Sequence, residues 1–188
     1  MRLLLALFLV FAPLSASAQD EAVIRKELEA QYRKLAEAHD RKDLRAIADL
    51  KTADFHAIFP DGRVGDVKSM EQYTKQFLEM NKPPYHIRNT IEKLTLSDNR
   101  LIAVAEVLQE VSRTRDLSGQ VRRVDTSVRQ RETWAKTPAG WKLKSVDHVR
   151  DQRRFVDGKR VDPTKPFDPN APPFQPDSTR EGVSGAPQ

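Results

Sequence analysis

Four side chains of this 188-residue chain are candidates for moving a proton: Tyr32, His56, Asp147 and His148. A carboxylate or an imidazole acts as a base when burial tunes its pKa, and a tyrosine hydroxyl can stabilise the oxyanion that forms. We therefore predict these four residues as the lining of a ligand pocket. A structural role competes at each position: core packing with a satisfied hydroxyl for Tyr32, and a hydrogen bond or salt bridge for Asp147.

Strand alternation limits how the last two candidates combine. Successive side chains of a strand point to opposite faces, so Asp147 is expected on the face of Trp141 and Leu143, and His148 on the other face. Both enter one pocket only if the strand carries a bulge. Glu132, on the strand before, is interpreted as the partner of an arginine on a neighbouring strand. No catalytic residue can be assigned from these positions.

Other kinds of site have little support in the sequence. The four histidines stand at positions 39, 56, 86 and 148, without the spacing of metal ligands on one helix or strand, and there is no cysteine. No glycine-rich phosphate loop, nucleophile elbow or Ser-His-Asp signature is present. We therefore predict no metal and no cofactor.

The first 18 residues have the composition of a secretory signal peptide. Arg2 precedes an apolar run from Leu3 to Leu14, and Ala16-Ser17-Ala18 fits a cleavage site before Gln19. The apolar run is shorter than the roughly 20 residues that span a bilayer. We therefore expect a periplasmic or secreted protein without stable membrane insertion.

The charge of the chain is modest and mixed in sign. The formal net charge is +5, and the clearest basic stretch runs from Arg113 to Arg131. This stretch lacks the interleaved aromatic residues that stack on bases. It is interpreted as a solvated sheet face, and no nucleic-acid partner is predicted.

The elements that would position the candidates follow a helix-then-strand order. Apolar periodicity predicts helices over 21–39, 43–50 and 67–81, with Asp43 as an N-cap, and Pro60-Asp61-Gly62 predicts a turn between two short strands. Four longer strands are predicted over 85–97, 100–115, 120–136 and 141–150. Short turns between them imply an antiparallel meander, so the fold class is α+β.

The C-terminal part differs from the rest. Residues 153–161 are predicted to form a short hairpin around Asp157-Gly158. Residues 162–188 hold seven of the twelve prolines of the chain and are expected to be an extended or disordered tail. Phe167 and Phe174 are its large apolar residues, which leaves docking on the domain or on a partner open.

Two groups of residues carry a resemblance to a known family. The first is Asp43-Leu44, Asp54-Phe55 and Pro60 to Gly65, and the second is Arg131 to Trp134 followed by Gly140 to Leu143. In this pattern the chain resembles the NTF2-like superfamily, specifically the SnoaL-like and DUF4440-type domains, over about residues 22 to 152.

The resemblance implies a cone, in which a curved antiparallel sheet wraps around N-terminal helices and encloses a pocket. The domain is accordingly expected over 19–152. Because members include isomerases, dehydratases and proteins without known chemistry, the fold does not select a reaction. Members commonly dimerise through the outer sheet face, which makes a homodimer the expected assembly.

Three functions follow as hypotheses. The leading one is a domain that binds a small, partly apolar ligand in the cone. The second is an isomerase or lyase that abstracts a proton there. The third is a dimeric protein-interaction module of the cell envelope. A filled cone would exclude the first, and candidates on opposite sheet faces would exclude the second.

Overall fold

The computed structural model describes residues 14–117, 119–172 and 174. Residues 1–13 of the expected signal peptide and residues 175–188 of the expected tail lie outside the described residues. The described residues form three helices: α1 (Leu14–Asp40), α2 (Leu44–Asp49) and α3 (Val67–Met80). The strands are β1 (Lys51–Ile58), β2 (Val64–Asp66), β3 (Asn81–Leu96), β4 (Ile102–Leu117), β5 (Gln120–Thr137), β6 (Gly140–Val156) and β7 (Lys159–Val161).

The strands form one curved, unclosed mixed sheet, and the domain is α+β, as the sequence predicted. The strand order is β2-β1-β6-β5-β4-β3, with β7 paired to the free part of β6. β3 to β6 form the expected antiparallel meander. β1, however, pairs with β6 in parallel. No short turn joins these two strands, so local sequence does not fix their relative direction.

Short-range signals set the boundaries of the first elements. The Asp43 carboxylate accepts the N–H of Ala46 at 2.9 Å and caps α2, as predicted. Asp66 caps α3 in the same way, through the N–H of Ser69 at 2.8 Å. The Pro-Asp-Gly turn between β1 and β2 is also present. Gly62 there has φ of +81°, a conformation that glycine adopts without steric cost.

The register of β4 with β5 is regular over its whole length and determines which side chains face the helices. On β4 this concave face carries Ala103, Ala105, Val107, Gln109, Val111 and Arg113. Opposite them on β5 lie Trp134, Glu132, Gln130, Val128, Thr126 and Val124. Trp134 therefore stands at one end of this face, and Arg113 at the other.

Two apolar clusters hold the helices on this face. The larger packs Leu28 and Tyr32 of α1 against Trp134 and Trp141 and closes the narrow end of the cone. The smaller joins α1, α2 and α3 to the start of β3 through Ala38, Ile47, Leu78 and Tyr85. Among the described residues, no helix has the length and apolar character needed to cross a bilayer.

Candidate functional site

The wide end of the cone contains a cavity of about 440 Å³, between the second half of α1, α3 and the concave face of the sheet. One wall is apolar, formed by Leu35, Phe77, Ile87, Val111 and Val128. The other wall is polar and basic, formed by His39, Tyr73, Thr74, Gln109, Arg113, Thr126, Ser127, Gln152, Arg153 and Arg154, with Pro163 at the edge.

The cavity is open at this end because the side chains there do not fill the cone. At the narrow end, Trp134 is 2% exposed and Leu28 is fully buried, and both pack within the larger apolar cluster. Toward the other end, the concave face of β5 carries the smaller side chains of Val128 and Thr126. The cone is thus packed solid at one end and hollow at the other.

Arg113 is the most unusual side chain of the cavity. Its Nε donates to Asn81 Oδ1 at 3.1 Å and its Nη1 donates to Thr126 Oγ1 at 3.0 Å. The guanidinium carbon lies 5.3 Å from the centre of the Phe77 ring, so the cation stacks on an aromatic face. Desolvation lowers the pKa of Arg113, but an arginine remains charged in any protein environment. The geometry therefore fixes a half-buried positive charge in one orientation.

His39 lies on the helical wall of the same cavity. Its Nδ1 is 2.8 Å from the carbonyl oxygen of Leu35. Because a carbonyl only accepts, Nδ1 carries the hydrogen, and Nε2 of the neutral ring is left as an acceptor. The ring stands edge-on to Phe77, with 6.1 Å between ring centres. Burial lowers the pKa of His39 below its ordinary value of 6.5 and favours this neutral form.

A second polar cluster lies deeper, at the boundary of the packed end. Glu132 is 3% exposed and accepts three hydrogen bonds. Tyr32 Oη donates at 2.6 Å and Trp134 Nε1 at 3.0 Å to one oxygen, and Gln130 Nε2 donates at 2.7 Å to the other. Desolvation raises the pKa of Glu132, although the three donors oppose that shift. Glu132 is therefore satisfied by neutral donors, and not by the cross-strand arginine that the sequence suggested.

Tyr32 is accordingly a buried member of this cluster. It is 6% exposed, and its ring meets that of Trp134 edge-to-face at 5.4 Å. Desolvation, followed by the neighbouring Glu132 charge, raises the pKa of Tyr32 far above its usual range. The hydroxyl stays protonated and donates to Glu132.

Asp147 lies on the convex face of the sheet. Thr133 pairs with Ser145 but Trp134 pairs with Leu143, so β6 has one extra residue between these pairs. This bulge reverses the alternation that the sequence indicated and places Asp147 beside Arg131, opposite to the face of Leu143. The Asp147 carboxylate accepts from Arg131 Nε at 2.7 Å and from Nη2 at 3.1 Å. Asp147 therefore belongs to a bidentate ion pair.

The two remaining candidates stand away from the cavity. His148 is exposed and has φ of +49°, next to a second shift of register in β6. His56 is on β1 between the buried residues Phe55 and Ala57, and it is paired in register with Asp66 and Ser145. Of the described residues that line the wide-end cavity, none belongs to the set predicted from the sequence.

The sequence contains a signal for the position of both His39 and Arg113, although neither was predicted as a site residue. His39 ends the apolar stripe of α1, four residues after Leu35, so the stripe predicts that it faces inward. Arg113 is in phase with Val107 and Val111 at two-residue spacing, which is the signal of a concave-facing position. No group of three or more metal-ligating side chains occurs in the described part of the chain.

Comparison with known proteins identifies the fold. No family model and no curated protein matches this chain. Solved structures match, among them a scytalone dehydratase-like protein from Novosphingobium aromaticivorans, with a TM-score of 0.58 and 11% identity over 73% of this chain and 90% of that one. An NTF2-like family structure of the dehydratase type from Streptomyces avermitilis has a TM-score of 0.51 and 12% identity, over 69% of this chain and 95% of that one.

A ketosteroid isomerase-like protein from Erwinia carotovora atroseptica is a third match, with a TM-score of 0.50 and 17% identity over 69% of this chain and 94% of that one. Identities this low carry the architecture and no reaction. The SnoaL-like and DUF4440-type assignment stays a prediction from the sequence. The architecture itself is shown: this chain has the NTF2-like fold.

Proposed function

We propose that this protein is an exported domain that binds a small, partly apolar molecule in the wide-end cavity. The observation that carries the proposal is the half-filled cone, whose open part is lined by apolar side chains together with Arg113 and His39. A volume of about 440 Å³ lies within the range of roughly 300–1,000 Å³ that is typical of small-molecule sites. The space therefore suits a compact ligand with an apolar body and few polar groups.

A cavity-filling variant tests this proposal. Val128→Phe places a ring into the cavity from the concave face of β5, whereas Val121→Phe adds the same ring at a position that is 59% exposed. Small organic acids, amines and neutral compounds are screened by thermal shift and ligand-observed NMR. We expect hits that bind the wild type and Val121→Phe but lose most of their affinity for Val128→Phe. Equal affinity for all three proteins would place the ligand elsewhere.

An enzyme that abstracts a proton is the second candidate, and the state of His39 favours it. A neutral imidazole with a free Nε2 acceptor is a suitable general base, and the Arg113 cation nearby would stabilise a developing oxyanion. The dehydratase-type and isomerase-like structures with this fold suggest the same class of chemistry. In this hypothesis His39 is the base and Arg113 stabilises the oxyanion. The residues suggested by the sequence were Tyr32, His56, Asp147 and His148.

Hydrogen–deuterium exchange distinguishes an enzyme from a binding protein. A ligand with an acidic C–H, taken from the screen, is incubated in D₂O and followed by NMR. If His39 is a base, the wild type catalyses deuterium incorporation, and His39→Gln binds the ligand but exchanges it at least tenfold more slowly. Exchange at the same rate with and without protein would leave binding as the function.

Export and assembly complete the proposal. N-terminal sequencing of the protein secreted by a bacterial host should find Gln19 as the first residue, and an intact Met1 in the cytoplasmic fraction would contradict export. The expected homodimer is tested by light scattering, in which a mass of 21.4 kDa or less at high concentration would indicate a monomer.

A further inference from the structure

Arg113 has no acidic partner in the described part of the chain. No carboxylate oxygen there lies within 4.0 Å of its guanidinium, and its two hydrogen-bond acceptors, Asn81 and Thr126, are neutral. Asp125, the acid that adds to the field at Arg113, is itself paired with Arg123 at 3.0 Å. A half-buried charge without a counter-charge is unfavourable, because neither water nor an anion compensates it fully.

The surroundings of Arg113 add positive charge. Arg153 and Arg154 line the same cavity. Arg154 donates hydrogen bonds to the backbone carbonyls of Asp162 and Lys165. Because carbonyl groups are neutral, they do not cancel its charge. The Asp162 carboxylate accepts from Thr164 and lies near Lys165. The wide end of the cone therefore presents a positive potential, which attracts an anion.

The guanidinium is also pre-oriented. Of the five N–H groups that an arginine carries, two are committed to Asn81 and Thr126, which leaves about three for a ligand. Stacking on Phe77 fixes the plane of the group. A fixed, planar fork with free N–H groups is the arrangement that binds a carboxylate or a phosphate through two parallel hydrogen bonds.

The rest of the cavity distinguishes between these two anions. Phosphate sites commonly use backbone N–H groups at a helix N-terminus or in a nest, in addition to cations. Here the cavity that contains Arg113 is also lined by Phe77, Val111 and Val128, which suit an apolar body. The lone pair that His39 presents at Nε2 would repel a dianion but would accept from a hydroxyl, an amine or a C–H on a ligand.

We propose that the ligand of the wide-end cavity is a small carboxylate with an apolar body, whose carboxylate is bound by Arg113. The inference rests on the proposed function, because it assigns the ligand class of the same cavity. The carboxylate lies against the basic wall, and the apolar body extends over Phe77 and Val128 toward His39.

Matched probes test the ligand class. Benzoate and 4-phenylbutyrate are compared with benzamide and 4-phenylbutyramide, which have nearly the same shape without the charge, and phenyl phosphate represents the other anion. Affinities for the full mature chain are measured by NMR titration and calorimetry. We expect each carboxylate to bind at least tenfold more tightly than its amide and than phenyl phosphate.

Two variants assign the effect to Arg113. Arg113→Gln should lower carboxylate affinity at least tenfold and leave amide affinity unchanged, whereas Arg63→Gln, at the exposed turn between β1 and β2, should change both by less than threefold. A purely structural Arg113 would leave the carboxylate preference unchanged in Arg113→Gln.

The outcomes separate the two proposals. If carboxylate and amide bind the wild type equally and neither binds Val128→Phe, the carboxylate inference is overturned and cavity binding is kept. Tighter binding of phenyl phosphate would also overturn it. Probes that bind neither the wild type nor any variant would overturn both. If Arg113→Gln does not fold, the carboxylate-to-amide ratio of the wild type decides.

Discussion

Replacing Tyr32 with phenylalanine should destabilise the domain, and more so at alkaline than at acidic pH. The substitution removes the hydroxyl that donates to Glu132 at 2.6 Å and keeps the ring packed edge-to-face on Trp134. A hydrogen bond to a charged group contributes about 1.5–3 kcal/mol, so we expect a loss of about 2 kcal/mol once Glu132 is ionised. For a chain of this size, that loss lowers the melting temperature by roughly 4–8 °C.

The pH dependence follows from the direction of the Glu132 pKa. Burial raises it in the folded protein above the ordinary value of 4.5, so folding favours the protonated acid. The cost of burying the charge is therefore absent below about pH 4.5 and is complete above the folded pKa. Between the two pKa values, Glu132 lowers stability by at most about 1.4 kcal/mol per pH unit. Without the Tyr32 hydroxyl the folded pKa rises further, so the decline continues to higher pH.

Urea denaturation followed by tryptophan fluorescence, at intervals from pH 4 to pH 9, measures this dependence. Glu132→Gln is the matched control, because an amide keeps the shape and the acceptor for Tyr32 and Trp134 but has no charge. Relative to Glu132→Gln, the wild type should become less stable as pH rises, and Tyr32→Phe should lose more than the wild type. A Tyr32→Phe loss below about 0.5 kcal/mol at pH 8, or an equal loss at pH 4 and pH 8, would refute a hydrogen bond to a buried carboxylate.

Three further substitutions probe local features. Asp43→Ala removes the cap of α2 and should cost about 1 kcal/mol in urea unfolding, with Asp43→Asn close to wild type; equal losses would exclude capping. Asp147→Asn breaks the convex-face ion pair with Arg131 and should cost up to about 1 kcal/mol, without changing ligand affinity in calorimetry; a tenfold affinity loss would contradict its placement. Phe167→Ala removes the ring that stacks under Arg122 and should speed limited proteolysis of the C-terminal segment several-fold; unchanged cleavage would mean that this contact does not hold it.

Much of the fold was predictable because its signals are short-range. The cap at Asp43 and the turn at Gly62 depend on residues a few positions away, and both occur where the sequence placed them. The strand Gly140 to Leu143 likewise follows its glycine turn. These local elements, in their order along the chain, were sufficient to indicate an α+β cone with the NTF2-like fold.

The candidate site was less predictable because it depends on pairing between distant strands. The side of the sheet that Asp147 occupies is set by the bulge in β6, and a bulge exists only relative to the register of β5. One extra residue moves the side chains that follow it to the opposite face, as far as the next shift of register. Alternation counted from Trp141 therefore assigned Asp147 to the wrong face.

By itself, the sequence determined the elements of this protein, their order and the fold class, since hydrophobic periodicity, caps and turns act over a few residues. The tertiary structure alone decided that Glu132 is buried among neutral donors, that the narrow end of the cone is filled, and that Arg113 and His39 share the hollow end. Each of these features depends on side chains that are far apart in the chain. Burial, strand pairing and cavity volume exist only in the folded molecule, in which the sheet has curved around α1.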